Sequence, residues 1–147
     1  MTQLSPHFTL EELTRSSTAQ QKGIDNTPSE KERSNLVRLC RDVLEPLREA
    51  YGAPMRITSG FRCKALNKAI GGVSTSQHIT GEAADINVGA DNARLFRLAA
   101  RLIQEGKLQV GQLIWEKGTQ KNPAWVHVSL PFVYRPNNQI LYVGIKK

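Results

Sequence analysis

Two short runs in the C-terminal third, Gln112-Leu113-Ile114-Trp115-Glu116 and 125–130 (Trp125-Val126-His127-Val128-Ser129-Leu130), are separated by the polar stretch 117–124. Runs of this length and composition predict strands, and their nearness in sequence predicts a hairpin. Alternation along 125–130 sets Trp125, His127 and Ser129 on one face and Val126, Val128 and Leu130 on the other. Residues 83–88 alternate as well, with Asp85 and Asn87 on one face and Ala84, Ile86 and Val88 opposite. Residues 55–58 and 139–145 complete the strand candidates.

Helical signals are interleaved with these strands. Thr9 and Glu12 have capping-box spacing, with Phe8 placed to pack beneath a short helix. Residues 15–26 are polar and read as a loop. A second box, with Thr27 as cap, Pro28 in the first turn and Glu30 completing it, starts a helix running towards Tyr51. Its buried stripe is Leu36, Leu39, Cys40, Val43 and Leu47; Pro46 should bend or break it near residue 42, and Gly52 ends it. A short helix over 64–70 stops at Gly71-Gly72. Asp91 caps an amphipathic helix whose apolar face is Leu95, Leu98, Ala99, Leu102 and Ile103, with Gly106 at its end. The mixture predicts an α+β fold, a small mainly antiparallel sheet with flanking helices. At 147 residues and 39% hydrophobic, the chain (1–147) fits one domain that buries roughly two-thirds of its unfolded surface.

Several classes are excluded at this point. The sequence has no apolar run of about 18 residues, so stable membrane insertion is not expected. Its first residues lack the basic and apolar regions of a secretory signal, which predicts synthesis in the cytoplasm. Two cysteines, Cys40 and Cys63, are expected as free thiols. A formal charge of +7 draws polyanions in general and selects none. Nucleic acid is not an expected partner, because aromatic-basic interleaving and recognised binding motifs are lacking.

The chemistry concentrates on two histidine contexts, Ser76-Gln77-His78-Ile79-Thr80-Gly81-Glu82-Ala83-Ala84-Asp85 and Trp125-Val126-His127. Imidazole and carboxylate suit zinc, and three protein ligands leave a fourth tetrahedral position open. His78 and Asp85 are seven positions apart, natural for a loop ligand followed by a strand ligand with Gly81 turning between them. Ala83 and Ala84 keep the space beside the carboxylate small, and His127 can enter from its strand as third ligand. A lone strand histidine is more often a hydrogen-bonded core or surface residue; the two together with Asp85 favour the metal. His7, following Pro6, reads as a surface residue.

Ser59-Gly60-Phe61-Arg62, the run from Gly71-Gly72 to Ser76-Gln77-His78 with Gly81, Ala83 and Asp85, and Trp125-Val126-His127 resemble the zinc-dependent D-alanyl-D-alanine peptidases with the hedgehog-type fold. That family includes bacterial carboxypeptidases and phage endolysins. The resemblance implies that His78, Asp85 and His127 bind zinc (Zn2+). It also implies that Arg62 holds a carboxylate or carbonyl of a peptidoglycan stem peptide and that Ser76 adds a hydrogen bond to it. Many relatives carry an acid three positions before the last histidine, where this chain has Ala124. The nearest acid, Glu116, ends the strand that can pair with the one carrying His127, which makes it the candidate general base; its competing reading is a solvated strand-end glutamate. Glu82 is a weaker rival, since alternation aims it away from Asp85. Trp115 should fill core, while Trp125 either lines the cleft or packs.

The implied function is a zinc metallopeptidase hydrolysing an amide bond of peptidoglycan stem peptides, as a D-Ala-D-Ala carboxypeptidase or a cell-wall endopeptidase of endolysin type. The alternative, motivated by Ala124, is a catalytically inactive zinc-stabilised module that binds cell wall or protein. A monomer is expected. A wall enzyme without a signal would act after release, as phage or prophage lysins do, or by another export route.

Overall fold

The structure, a computed structural model, describes residues 2–145. The chain opens with a small antiparallel pair, β1 (Gln3–Ser5) and β2 (Phe8–Thr9), which leads into α1 (Leu10–Thr14). Thr9 caps α1 by accepting the Glu12 N–H at 3.2 Å. The stretch 15–26, expected as loop, contains α2 (Ser17–Lys22) instead. Only Ala19 of α2 is buried, so no apolar stripe announces it; its markers are the Ser16 cap and Gly23, which adopts φ +65°.

The next helix, α3 (Glu30–Leu39), starts two residues later than expected. Asp25 accepts both the backbone N–H and the hydroxyl of Thr27, so Ser29 becomes the cap and Glu32 closes the box. At Cys40–Leu44 the helix widens into a single π turn and then continues as α4 (Glu45–Tyr51). This is how Pro46 is accommodated. A proline has no N–H to give the carbonyl four residues back, and the wide turn, with the Glu45 N–H reaching the Cys40 carbonyl, absorbs the mismatch without a break.

After β3 (Ile57–Ser59) and α5 (Lys64–Ala69) come β4 (Ala83–Ile86), α6 (Asn92–Gln104), β5 (Gln112–Glu116), β6 (Trp125–Ser129) and β7 (Gln139–Val143). The main sheet has the order β3-β4-β6-β5-β7, antiparallel throughout except for β5 against β7, which run parallel. Strand β4 stops at Ile86 because Asn87 and Asn92 take over the turn: the Asn92 carboxamide oxygen accepts the Val88 N–H at 2.7 Å. Asp91 precedes α6 yet makes no side-chain cap; its carboxylate is engaged by the Tyr51 hydroxyl and by Arg94.

One sheet face is apolar. Ala84 and Ile86 of β4, Val126 and Val128 of β6, and Leu113 and Trp115 of β5 join the stripe of α3 and α4 and the Leu95, Phe96 and Ala99 face of α6 in one core. Trp115 thus fills core, stacked edge-on against Phe96. Cys40 and Cys63 are free thiols. Helices α3, α4 and α6 all pack on this face, which leaves the opposite one for chemistry.

Candidate metal centre and cleft

The strand register builds a row of side chains across the uncovered face. Ser59 of β3 lies opposite Asp85 of β4, Asp85 opposite His127 of β6, and His127 opposite Ile114 of β5. Directly opposed residues have Cβ atoms about 4.5–5.5 Å apart, so the ladder brings an acid and a histidine into contact without any loop. The His127 Nδ1 lies 2.9 Å from the Asp85 Oδ1.

His78 arrives from the loop after α5. Its N–H donates to the Ser76 hydroxyl at 3.1 Å, its carbonyl accepts the Arg62 N–H at 3.0 Å, and Gly81, at φ +77°, turns the chain back into β4. A side chain at Gly81 would also meet the Glu32 carbonyl at 2.6 Å, so both conformation and space require glycine. The His78 ring is 3% exposed, with Nδ1 2.7 Å from the Gly60 carbonyl and Nε2 3.3 Å from the Asp85 Oδ1.

These three residues fit a divalent metal. Their ligating atoms lie within 4.8 Å of one another, and a tetrahedral site with bonds of about 2.0–2.1 Å needs spacings near 3.3 Å. With its Nδ1–H committed to the Gly60 carbonyl, His78 turns the Nε2 lone pair towards a carboxylate oxygen. Two acceptors in that apposition need a shared proton or a cation. Burial lowers the His78 pKa and outweighs the attraction of Asp85, which disfavours the proton. Burial acting alone would raise the Asp85 carboxyl, but His78 and His127 outweigh it and hold Asp85 below the ordinary carboxylate range. An imidazole that burial strips of its proton, beside a carboxylate that stays ionised through the positive charge next to it, is a ligand set in which a cation takes the proton's place.

Arg62 stands next to this group, its Nη2 3.5 Å from the Asp85 Oδ2. Its Nε donates to the Ser59 hydroxyl at 3.1 Å and its Nη1 to the Asn67 carboxamide oxygen at 3.0 Å. Asn67 is 3% exposed and in turn donates to the Val73 carbonyl at 2.9 Å. Gly72 makes room for the pair, since a Cβ there would lie 2.2 Å from the Asn67 Oδ1 and 3.0 Å from the Arg62 Nη1. Sequence reasoning missed Asn67. An asparagine on a short helix carries no periodic or motif signal, and only burial with a guanidinium partner reveals its task.

Arg62, Ser76, His78, Asp85, Glu116 and His127 all line one cavity of about 320 Å³. Trp125 lines it too, with the Lys117 ammonium 5.5 Å from its ring centre. Glu116 pairs in register with Trp125 and is half-buried; burial raises its pKa, the charge of Asp85 adds to that, and His127, Lys117 and Arg62 oppose it. Ala124 is exposed where the hairpin closes, its N–H donating to the Glu116 carbonyl. Glu82 is drawn away by the Thr80 hydroxyl, and His7 is bound to Glu45 beside β1.

Comparison with known proteins agrees with this geometry. A stretch of the chain is 37% identical over 59 residues to the zinc D-Ala-D-Ala carboxypeptidase of Streptomyces albus G, a match that takes in 40% of this chain and 23% of that protein. The family model described as Peptidase M15 matches residues 6–129, which run from just after β1 to the end of the His127 strand, β6. With the greater part of its length matched, and with a buried His-Asp-His group on the uncovered face of the sheet, this chain belongs to the Peptidase M15 family.

Proposed function

We propose that this chain is a zinc-dependent peptidase that hydrolyses an amide bond in peptidoglycan stem peptides. The observation that carries the reading is the convergence of His78, Asp85 and His127 in a cavity that also holds Arg62 and Glu116. Zinc held by the three ligands supplies Lewis acidity for the scissile carbonyl and for water. Glu116 then has the work of a general base: its half-buried carboxylate takes a proton from water and returns it to the leaving amine. Its raised pKa suits that exchange, because a carboxylate more basic than usual accepts a proton more readily. Arg62, braced by Ser59 and Asn67, holds a substrate carboxylate or carbonyl, and Ser76, whose oxygen already accepts from His78, keeps its O–H to donate to the same peptide. D-Ala-D-Ala carboxypeptidase and cross-link endopeptidase activities are both compatible with this arrangement.

Mass spectrometry of purified peptidoglycan digested with the zinc-loaded protein, beside chelator-treated protein and Glu116→Gln, tests the reading. New fragments from the zinc form alone are expected, and their masses name the bond: released alanine for a carboxypeptidase, resolved cross-links for an endopeptidase. Intact peptidoglycan after incubation with folded, zinc-bound protein would instead favour a zinc-stabilised binding module.

A further inference from the structure

The cavity has a second arginine that the proposed chemistry does not use. Arg135 lies on the segment after β6, and its guanidinium carbon sits 4.5 Å from the centre of the Phe132 ring. Both residues line the same cavity as Arg62 and Glu116. Phe132 is held by its backbone: its N–H donates to the Asn137 Oδ1 at 2.6 Å, and the Asn137 Nδ2 donates back to its carbonyl at 3.1 Å. Gln139 ties the end of the loop by donating to the Pro136 carbonyl at 2.7 Å. The backbone that carries the ring is therefore pinned on an otherwise exposed loop, and the ring edge lies against Gly111, where a Cβ would meet its Cε2 at 3.0 Å.

A guanidinium resting on a ring uses its face and keeps its N–H donors in the plane, where they match the two oxygens of a carboxylate. The two arginines differ in what surrounds them. Arg62 has Asp85, Ser59 and Asn67 as neighbours, whereas no carboxylate among the described residues pairs with Arg135. A cation kept in place by an aromatic platform, without an acid of its own, is set up to receive one from a ligand.

We propose that Arg135, stacked on Phe132, is a second carboxylate-binding position in the cleft, separate from the one at Arg62. This rests on the peptidase reading and narrows it. The preferred substrate is a stem peptide with a free carboxylate besides the group that Arg62 engages, and amidation of that carboxylate weakens recognition. Stem peptides have such groups on their glutamyl and diamino acid residues, so the position makes this chain sensitive to which of them a wall has amidated.

The test uses synthetic stem peptides amidated at one carboxylate at a time, with calorimetric Kd and hydrolysis both measured on wild type, Arg135→Gln, Arg135→Lys and Phe132→Leu. In wild type, amidation at one position weakens binding about 10- to 100-fold, the range for losing a charged hydrogen-bonded contact, and raises KM without lowering kcat. Arg135→Gln erases that preference while the preference assigned to Arg62 persists; Arg135→Lys keeps part of it, and Phe132→Leu lowers it by releasing the guanidinium. The proposal is overturned if every preference survives Arg135→Gln, or if wild type is indifferent to amidation except where Arg62 responds. If wild type hydrolyses none of the peptides yet shows a Kd preference that Arg135→Gln removes, the carboxylate position stands and the peptidase reading falls.

Discussion

Gly72→Ala replaces one hydrogen by a methyl group, and its effect reaches Arg62 through a single intermediary. The new carbon would sit 2.2 Å from the Asn67 Oδ1 and 3.0 Å from the Arg62 Nη1, so the carboxamide must withdraw by about an ångström to reach ordinary contact. From a starting length of 3.0 Å, that displacement removes the Arg62–Asn67 hydrogen bond. A charged hydrogen bond contributes about 1.5–3 kcal/mol and the Asn67–Val73 bond about 1 kcal/mol more, so a loss of about 2.5–4 kcal/mol is expected. For a chain of this size, that lowers Tm by roughly 5–15 °C. The peptide KM should rise about tenfold or more as Arg62 loses its brace. Gly71→Ala is the control. Gly71 has φ +77° and open space around it, so its substitution costs about 1–2 kcal/mol of backbone strain and leaves KM alone. Asn67→Ala removes the atom struck by the methyl, so Asn67→Ala/Gly72→Ala should be no less stable than Asn67→Ala. A wild-type KM in Gly72→Ala, or identical behaviour of the Gly71 and Gly72 variants, refutes the reasoning.

Other expectations follow from the same geometry. His78→Ala, Asp85→Ala and His127→Ala should each lose bound zinc by elemental analysis, whereas Glu116→Gln keeps it and loses about 10²- to 10⁴-fold in turnover; zinc retention in Asp85→Ala would remove that residue from the ligand set. Since the Glu116 pKa is raised in the folded chain, hydrolysis should fall as pH is lowered through a value above the usual 4.5 of a glutamate, and Glu116→Gln should abolish that limb of the profile. The stability effect has the opposite sense. A raised folded pKa means that the native state binds the extra proton, so stability declines as pH rises from 4.5 through that value, and Glu116→Gln should unfold no earlier than wild type at neutral pH in thermal melts. Burial pushes the Cys40 thiol up to about 12, and alkylation followed by mass spectrometry should modify Cys63 in the native protein and spare Cys40 until it unfolds.

The strands carrying Asp85, Glu116 and His127 were legible in the sequence because a period of two fixes which side chains share a face, and the opposed register follows once those faces are buried or open. Gly81 was legible for a related reason, since a turn between a loop ligand and a strand ligand calls for a positive φ. The start of α3 was not. Thr27 and Ser29 both offer a hydroxyl at capping distance from a glutamate, and the choice is made by Asp25, which binds Thr27 through two hydrogen bonds. Residues 139–145 read as a strand, but the parallel run of β7 against β5 depends on the path of the 131–138 loop, about which alternation says nothing. Asn67 and the stacking of Arg135 on Phe132 were illegible for the same cause: each is a contact between residues without periodic relation, created by how loops return to the sheet.

The origins of the site's parts suggest a division of labour. Asp85 and His127 are neighbours in the ladder of two central strands, so their separation is set by the same hydrogen bonds that hold the sheet. His78 and Arg62 come from loops, yet the loops are tied to each other and to α1: the Arg62 N–H donates to the His78 carbonyl, the His78 ring to the Gly60 carbonyl, and the Phe61 N–H to the Leu13 carbonyl at 2.7 Å. Gly60 permits this closeness, because a Cβ there would lie 2.3 Å from the Leu13 carbonyl oxygen. The His78, Asp85 and His127 group is thus held by ladder and backbone, elements that side-chain exchange scarcely moves. Recognition at Arg135 hangs on a ring and one asparagine in an exposed loop. Substitutions in 131–138 can therefore retune which peptide enters while the ligand geometry stays fixed, the separation expected when a rigid scaffold carries the chemistry and a loop carries the choice.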